Sequence, residues 1–84
     1  MLMVPISALG QSSEIYAQKG DNGDAAKDVQ ARLIQLGFLS GNADGIFGSG
    51  TEGAVKEFQA ANGLEETGIV DEATYEALKH LLQN

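Results

Sequence analysis

One pattern of residues occurs twice in this sequence of 84 residues. Each copy has an apolar residue and Gln, then Gly and an apolar residue, then Gly-Ile and an apolar residue, and finally Thr. The sequence distance from a position in the first copy to its counterpart in the second decreases along the unit. It is largest for the two Gln residues and smallest for the two Thr residues. The copies are Val29-Gln30, Gly37-Phe38, Gly45-Ile46-Phe47, Thr51 and Phe58-Gln59, Gly63-Leu64, Gly68-Ile69-Val70, Thr74. Because repeated units of this kind stack on each other to bury their apolar faces, the pattern predicts an internally duplicated helix-loop unit.

Three helices are predicted from Asp24 onward. Asp24 is a suitable N-cap for the first helix, whose apolar residues recur every three or four positions, and Gly37 supplies the left-handed residue that ends it. The sequence Ser49-Gly50-Thr51-Glu52 is a capping box for the second helix, which ends at Asn62-Gly63. The third helix opens at Asp71. These features predict an all-α fold, a small three-helix bundle with two Gly-rich loops.

Residues 1–22 are predicted to be an N-terminal extension or linker, and residues 23–84 the helical domain. The apolar run Met1–Leu9 is interrupted by Pro5 and has no basic residue before it. It therefore lacks the charged start of a signal peptide and the length of a transmembrane span. It could be the end of a removed signal or preceding domain, or a segment that packs on the bundle. The stretch Gln11–Gly23 is rich in Gly, Ser, Gln and Asn, which is typical of a linker.

Composition argues against several classes of partner and site. The net charge of −7 repels nucleic acid and anionic membranes, and the five Lys and Arg residues form no basic cluster. With no Cys and a single histidine, His80, the chain offers no Cys-based zinc site and no His pair. The loop Ser40–Thr51 has Ser and Thr where a calcium loop needs Asp first and a bidentate Glu last. Neither a metal nor a cofactor is expected.

Catalysis is not expected either. A glycosidase needs two carboxylates across a cleft, and a Ser or Cys hydrolase needs a base beside its nucleophile. The carboxylates of this chain fall mainly at helix starts and in turns. A three-helix bundle of this size offers a groove and not an enclosed pocket. The sequence therefore indicates a protein that is not an enzyme.

Ordered glycine, glutamine and apolar positions run through the whole helical region. They are Gly23-Asp24, Val29-Gln30, Leu33, Leu36-Gly37-Phe38, Asp44-Gly45-Ile46-Phe47-Gly48, Thr51, Ala54-Val55, Phe58-Gln59, Gly63-Leu64, Gly68-Ile69-Val70, Thr74 and Leu78. Their order and spacing closely resemble the peptidoglycan-binding domain 1 family, three-helix modules attached to bacterial cell-wall hydrolases, spore-lytic enzymes and phage endolysins. The resemblance covers Gly20 to Leu82. The sequence departs from the family at Ala26, where a larger aliphatic residue is common, and throughout the stretch 1–22.

The resemblance implies non-catalytic binding of cell-wall peptidoglycan, through its glycan strand or stem peptide, which targets an attached or associated cell-wall enzyme to its substrate. It also implies an extracellular or cell-wall location, in a bacterium or a phage, and a monomer tethered to a catalytic domain. A second hypothesis is a protein-interaction or prodomain-like helical module that docks on a neighbouring domain, with Met1–Leu9 as one contact. A related three-helix fold forms the prodomain of matrix metalloproteases, but the cysteine that blocks the metal there is absent here.

Several candidate residues have both a structural and a binding interpretation. Gln30 and Gln59 follow core residues, so their amides could bind backbone groups of the adjacent loop or contact a sugar or peptide. Asp44-Gly45 is first of all a turn, and alternatively a ligand contact. Phe47 could belong to the core or form a ligand platform. Gly45 and Gly48 allow close approach by the other loop or by a glycan.

The binding surface is predicted at the loop Ser40–Gly50, because this loop is longer than the corresponding Glu65–Val70. Extra loop length on one face of a repeat is where binding usually lies. The groove between this loop and the second helix would also present free backbone N–H groups near Thr51, suited to carbonyl or carboxylate groups of a stem peptide. The predicted ligand-binding residues are Asp44, Gly45, Ile46, Phe47, Gly48, Thr51 and Gln59.

Overall fold

The computed structural model describes residues 15–82, and the predictions for Met1–Leu9 lie outside the described residues. Its elements are β1 (Ile15–Ala17), α1 (Asp24–Leu36), α2 (Ser49–Ala61), β2 (Val70–Asp71) and α3 (Glu72–Leu82). The three predicted helices are present, and the structure adds a small two-stranded sheet that the all-α prediction lacked. Among the described residues, no helix has both the length and the apolar character needed to cross a membrane.

The helix ends follow the sequence. Gly37 adopts the left-handed conformation directly after α1, with φ of 89°, and Gly63 does so just beyond α2, with φ of 73°. After Gly37 the chain turns back, and the N–H of Phe38 donates to the carbonyl of Leu33 at 2.9 Å. Such bonds satisfy carbonyl groups that the end of a helix leaves open.

The starts of α1 and α2 differ from the sequence prediction. Gly23 and Gly48 occupy the N-cap positions, and neither helix has a side-chain cap hydrogen bond. Asp24 and Ser49 are instead the first residues of their helices, so the predicted cap at Asp24 and the predicted capping box at Ser49 are wrong. Asp24 still stabilises α1, because a carboxylate in the first turn meets the positive end of the helix dipole.

One core lies between the three helices and the sheet. Phe47 enters it from the chain between α1 and α2, and Ala17 and Val70 enter it from the two strands. The ring of Phe38 packs edge-on against Phe58, with centroids 5.5 Å apart. The buried apolar residues of this core are Ala17, Ala26, Val29, Leu33, Phe47, Ala54, Val55, Phe58, Val70 and Leu78.

Residues 15–22 pack on the helices, which differs from the linker predicted for this region. β1 runs antiparallel to β2, with Ala17 opposite Val70. Ala17 is completely buried, and the N–H of Gly20 donates to the carbonyl of Phe47 at 2.9 Å. Most of these contacts use backbone groups, which any residue type supplies, so the polar composition of the stretch gave no sign of them.

A cluster of Tyr16, Tyr75 and Asp28, here called the tyrosine cluster, joins β1 to α1 and α3. The two rings stack with centroids 4.0 Å apart. Both hydroxyls donate to Oδ2 of Asp28, at 3.1 Å from Tyr16 and 2.7 Å from Tyr75, and Nε of Arg32 lies 3.1 Å from Oδ1. Burial opposes ionisation of Asp28, but hydrogen bonds from both tyrosines and the Arg32 guanidinium outweigh it and lower the pKa of Asp28.

The tyrosine cluster predicts a loss of stability in acid. Because the pKa of Asp28 is lowered in the folded state, its stabilisation is present above the unfolded pKa and is lost as pH falls through the folded pKa. Asp28→Asn should lower the free energy of unfolding by about 1 kcal/mol at pH 7. It should also flatten the decline below about pH 4. Urea unfolding followed by circular dichroism from pH 7 to pH 2 measures both effects.

The control for this series is Glu57→Gln, which removes an exposed carboxylate of α2 that makes no ion pair or hydrogen bond within the described residues. It should leave the acid profile of the wild type unchanged. A profile for Asp28→Asn that matches the wild type would contradict the role of Asp28.

The left-handed glycines give a second stability prediction. Gly63→Ala should lower the free energy of unfolding by about 1 kcal/mol, and Gly37→Ala should behave alike. An added Cβ at either position meets no atom within 4 Å, so the cost comes from the backbone conformation alone. Thermal denaturation should show a fall of about 4–8 °C for each change.

Gly53→Ala is the matched control with the opposite sign. Gly53 lies inside α2, has no positive φ, and has free space around an added Cβ. Alanine there should raise stability by about 0.5–1 kcal/mol, since glycine is the poorer helix former. Equal melting temperatures for the three variants and the wild type would mean that the helix ends are misplaced.

Candidate functional site

The buried amide of Gln30 binds the chain between α1 and α2, residues 37–48, here called the first loop. Its Oε1 accepts a hydrogen bond from the N–H of Gly45 at 2.8 Å. Its Nε2 donates to the carbonyl of Ile46 at 2.8 Å, and to Oδ1 of Asp44 and Oγ1 of Thr51 at 3.0 Å each. Because a backbone N–H only donates and a carbonyl only accepts, these partners fix the orientation of the amide. One side chain thus determines the shape of the loop.

Gln59 makes the same set of bonds to residues 62–69, the second loop. Its Oε1 accepts from the N–H of Gly68 at 2.9 Å, and its Nε2 donates to the carbonyl of Ile69 at 3.0 Å. The hydroxyls of Thr67 and Thr74 also accept from Nε2, at 3.2 and 3.0 Å. All four partners follow their counterparts in the first set by the same sequence offset, that between Gly45 and Gly68. Both glutamines therefore have the structural role that the sequence suggested, binding buried backbone groups of the adjacent loop.

An open groove of about 400 Å³ lies between the first loop and the start of α2. We call it the loop groove. Asp44 and Ile46 are exposed at its edge, and Ile46 has 59% of its surface accessible. Gly48 and Thr51 contribute the wall on the side of α2. The groove combines an exposed apolar side chain, a carboxylate and the backbone of a helix start.

Four of the seven predicted ligand-binding residues line the loop groove, namely Asp44, Ile46, Gly48 and Thr51. The other three lie elsewhere. Phe47 is 1% exposed and belongs to the core. Gly45 is buried beneath the loop, where its N–H binds Gln30. Gln59 lies under the second loop and does not line the groove.

Five further residues line the loop groove that were not among the seven named ligand-binding residues, although three of them lie in the predicted binding loop Ser40–Gly50. The side chain of Gln30 forms part of its floor, although the sequence favoured a structural role for it. The others belong to the first loop or to the first turn of α2, and nothing in their residue types distinguishes them from ordinary loop residues. The five are Gln30, Leu39, Ser40, Asn42 and Gly50.

Asp44 is an ionised acceptor at the edge of the groove. The N–H of Ile46 donates to its Oδ1 at 3.0 Å. This bond first, and the amide of Gln30 second, lower the pKa of Asp44. The hydrogen bonds from Gln30 and Ile46 both go to Oδ1, so Oδ2 can accept a hydrogen bond from a hydroxyl or amide group of a ligand.

No described residues form a group of three His, Cys, Asp or Glu side chains that could bind a metal ion. Buried polar side-chain atoms of residues 15–82 all have partners.

The Gln30 network predicts a large effect of a nearly isosteric change. In Gln30→Glu the side chain can still accept from Gly45 but has no N–H to give to the carbonyl of Ile46 or the hydroxyl of Thr51. Such a variant should lose about 3 kcal/mol of unfolding free energy at pH 7, because a carboxylate is buried against acceptors. Burial also raises the pKa of the introduced carboxyl group. Part of the lost unfolding free energy should therefore be recovered as the pH falls from 7 to 5.

Gln35→Glu is the control for that change. Gln35 lies on the same helix and is exposed. The same substitution there should alter stability by no more than about 0.5 kcal/mol. Chemical denaturation at pH 7 and pH 5 compares the two variants, and equal stabilities at pH 7 would contradict the proposed importance of the amide.

A family model described as "Putative peptidoglycan binding domain" matches residues 22–78, which include both glutamines and every residue of the loop groove. The chain belongs to this family. The resemblance stated from the sequence is thereby confirmed, and the matched region covers the three helix starts and both loops.

Similar proteins include spore cortex-lytic enzymes. The enzyme of Oceanobacillus iheyensis is 39% identical over 66 residues, which are 79% of this chain and 24% of that protein. The enzyme of Bacillus subtilis is 42% identical over 62 residues, which are 73% of this chain and 20% of that protein. The chain thus spans about a quarter or less of the length of these relatives.

Solved structures share the fold. The SleB N-terminal domain superposes with a TM-score of 0.77 at 34% identity, covering 83% of this chain and 94% of that one. An L,D-transpeptidase from Xylanimonas cellulosilytica superposes with a TM-score of 0.75 at 38% identity, covering 81% of this chain and 33% of that one. The same three-helix unit therefore accounts for nearly all of the solved SleB N-terminal domain and for about a third of the solved transpeptidase chain.

Proposed function

We propose that this chain is a non-catalytic module that binds bacterial cell-wall peptidoglycan through the loop groove. The observation that carries the proposal is the match of residues 22–78 to the peptidoglycan-binding family, since this region contains the whole groove. The groove is open and shallow, which suits a contact with a polymer more than enclosure of a small substrate.

The chemistry of the loop groove suits a stem peptide. Oδ2 of Asp44 is available to accept from an amide N–H, and the exposed side chain of Ile46 offers apolar contact. The first N–H groups of α2 have no acceptor within the helix and no side-chain cap. Carbonyl or carboxylate groups of a peptide are suitable acceptors for such N–H groups, which also lie at the positive end of the helix dipole.

A comparison of the starts of α2 and α3 supports the binding of a ligand oxygen at the start of α2. At the start of α3, Oδ1 of Asp71 accepts a hydrogen bond from the N–H of Thr74 at 3.0 Å. The corresponding residue at the start of α2, three positions before Thr51, is Gly48, which has no side chain. The protein thus supplies its own carboxylate at one helix start and leaves the corresponding place beside the loop groove open. We infer that a ligand oxygen occupies that place.

The proposed biological role is to keep a cell-wall enzyme near its substrate. A weak contact with a repeating polymer raises the effective concentration of a tethered catalytic domain at many bonds. The similar spore cortex-lytic enzymes are four to five times longer than the matched region, which leaves room for such a domain. The proposal places the chain in the cell wall or outside the cell, as a monomer attached to or associated with an enzyme.

We also infer that the helix-loop unit is internally duplicated. The support is the hydrogen bonding of Gln30 and Gln59, whose four partners correspond at one constant sequence offset. On this view the second loop lost length while its buried amide network was retained. The longer first loop is then the copy that carries binding.

Co-sedimentation with insoluble peptidoglycan sacculi tests the proposed function. The purified chain should pellet with sacculi and remain in the supernatant with cellulose or chitin. Retention should survive moderate salt, because a protein with a net charge of −7 does not depend on net attraction to an often anionic wall. Equal recovery in the supernatant with sacculi and without polymer would remove the proposal.

Two substitutions test the place of binding. Asp44→Ala and Ile46→Ala should each weaken retention on sacculi roughly two- to tenfold, which corresponds to the loss of one hydrogen bond or apolar contact. Helical circular dichroism should stay near wild type, since both side chains are exposed.

Thr51→Ala should also weaken retention, but it removes an acceptor of buried Gln30 and needs a parallel stability measurement. Phe47→Ala should weaken retention and helical circular dichroism together, because its ring belongs to the core.

Thr67→Ala is the matched control. Thr67 occupies the place of Asp44 in the second set, accepts from Gln59, and does not line the loop groove. Thr67→Ala should lower the free energy of unfolding by about as much as Asp44→Ala does, and it should leave retention on sacculi unchanged. In addition, soluble muropeptide should shift the amide resonances around Asp44 and Ile46. Shifts confined to α3 would show that the loop groove is not the binding site.

A further inference from the structure

A second, smaller groove lies between β1 and α3, with a volume of about 220 Å³. We call it the tyrosine groove. Its walls are Ile15 and Tyr16 from β1 and Glu72, Tyr75 and Glu76 from α3. Positions 72, 75 and 76 are spaced three and four apart, so they share one face of the helix. None of these residues belongs to the loop groove.

The charge of the tyrosine groove is negative. Among the described residues that line it, Glu72 and Glu76 carry the carboxylates, and neither wall contributes a basic residue. Glu76 has Lys79 at 3.3 Å in an exposed pair, which is a weak interaction in water. Glu72 makes no ion pair or hydrogen bond with any residue in the described part of the chain. An anionic ligand is therefore repelled, and a cation is attracted.

The ring of Tyr75 already has two cationic partners, with Nζ of Lys79 at 5.1 Å and Cζ of Arg32 at 5.4 Å from its centroid. These distances are within the range of cation–π attraction, so the ring that is open to a further cation is that of Tyr16. Tyr16 stacks on Tyr75 with one face and stays 38% exposed. Because Asp28 binds both hydroxyls, the rings are fixed in place before any ligand arrives.

The size and the apolar part of the tyrosine groove further restrict the class of ligand that fits. Ile15 is 50% exposed beside Tyr16, which provides a surface for aliphatic carbons. The volume of 220 Å³ is below the range of about 300–1,000 Å³ that encloses drug-sized molecules. A single side chain fits this space better than a disaccharide.

We propose that the tyrosine groove binds a primary ammonium group on an alkyl chain, supplied by the free side-chain amine of a diamino acid in the stem peptide. Glu72 and Glu76 pair with the ammonium charge, while Tyr16 and Ile15 pack against the carbons that carry it. The source of the amine rests on the proposed peptidoglycan binding, whereas the chemistry of the groove does not.

This groove would distinguish two states of the wall. When a stem peptide is cross-linked through this amine, the ammonium becomes an amide, which is neutral and bulkier. The two carboxylates then lose their charge partner, and the chain beyond the amide must pass through a narrow groove. The module therefore favours peptides whose amine is still free.

A small probe tests the groove directly. Nα-acetyl-lysine methylamide is titrated into the full 84-residue chain and followed by NMR. Resonances of Tyr16, Glu72 and Glu76 should shift, with an affinity at least roughly fivefold higher than that of the same probe acetylated at Nε. Equal shifts with both probes, or shifts that avoid the tyrosine groove, would overturn the proposal.

Charge-removing variants sharpen this test. Glu72→Gln and Glu76→Gln should each weaken the lysine probe roughly two- to fivefold. The control is the double change Glu65→Gln and Glu66→Gln, which removes two exposed carboxylates from the second loop. It should leave the affinity for the probe unchanged. If the control weakens the probe as much as the groove variants, the attraction is merely the net charge of the protein, and the assigned site is wrong.

Sacculi separate this proposal from the proposed function. Acetylation of free amines on sacculi should reduce retention of the wild type and leave retention of the Glu72→Gln, Glu76→Gln double variant nearly unaltered. Equal retention of the wild type on native and acetylated sacculi would overturn the amine as ligand while peptidoglycan binding stands. No retention on either would overturn peptidoglycan binding, and the lysine probe would still decide whether the groove binds an ammonium.

Discussion

The buried side-chain amides of Gln30 and Gln59 are the interactions on which the rest of this structure depends. A loop that crosses the face of a small core brings backbone N–H and carbonyl groups away from water, and each unpaired group costs free energy. A glutamine amide has donors and an acceptor in one plane, so it satisfies both kinds of group at once. In each loop it binds the N–H of a glycine and the carbonyl of the isoleucine that follows, at 2.8–3.0 Å. The loops can therefore lack regular secondary structure and still have one conformation.

Much of this arrangement could be predicted because its determinants are local. Gly37 and Gly63 end helices through a backbone angle that other residues avoid, and the apolar spacing of the helices reports their buried faces. The two glutamines stood out because each follows a core residue at the same point of a repeated pattern. The exposed part of the loop groove, Asp44 and Ile46, followed from the length of the first loop.

The rest depended on contacts that the sequence does not mark. Asp28 and Tyr75 are far apart in the chain, and only the packing of α1 on α3 brings their side-chain oxygens within 2.7 Å. Phe47 fitted either a core or a ligand platform on residue type, and burial decides for the core. The starts of α1 and α2 misled because Asp24 and Ser49 are good caps that lie one position inside their helices. In both helices the preceding glycine is the N-cap residue.

The first loop and strand β1 are secured by groups of different acid–base character. The amide of Gln30 does not titrate, so its hydrogen bonds to Gly45, Ile46 and Thr51 do not depend on its own charge state. Strand β1, by contrast, is joined to α1 in part through the carboxylate of Asp28, which loses its charge in strong acid. Acid therefore weakens the contact of β1 with α1, while the amide bonds of Gln30 to the first loop persist.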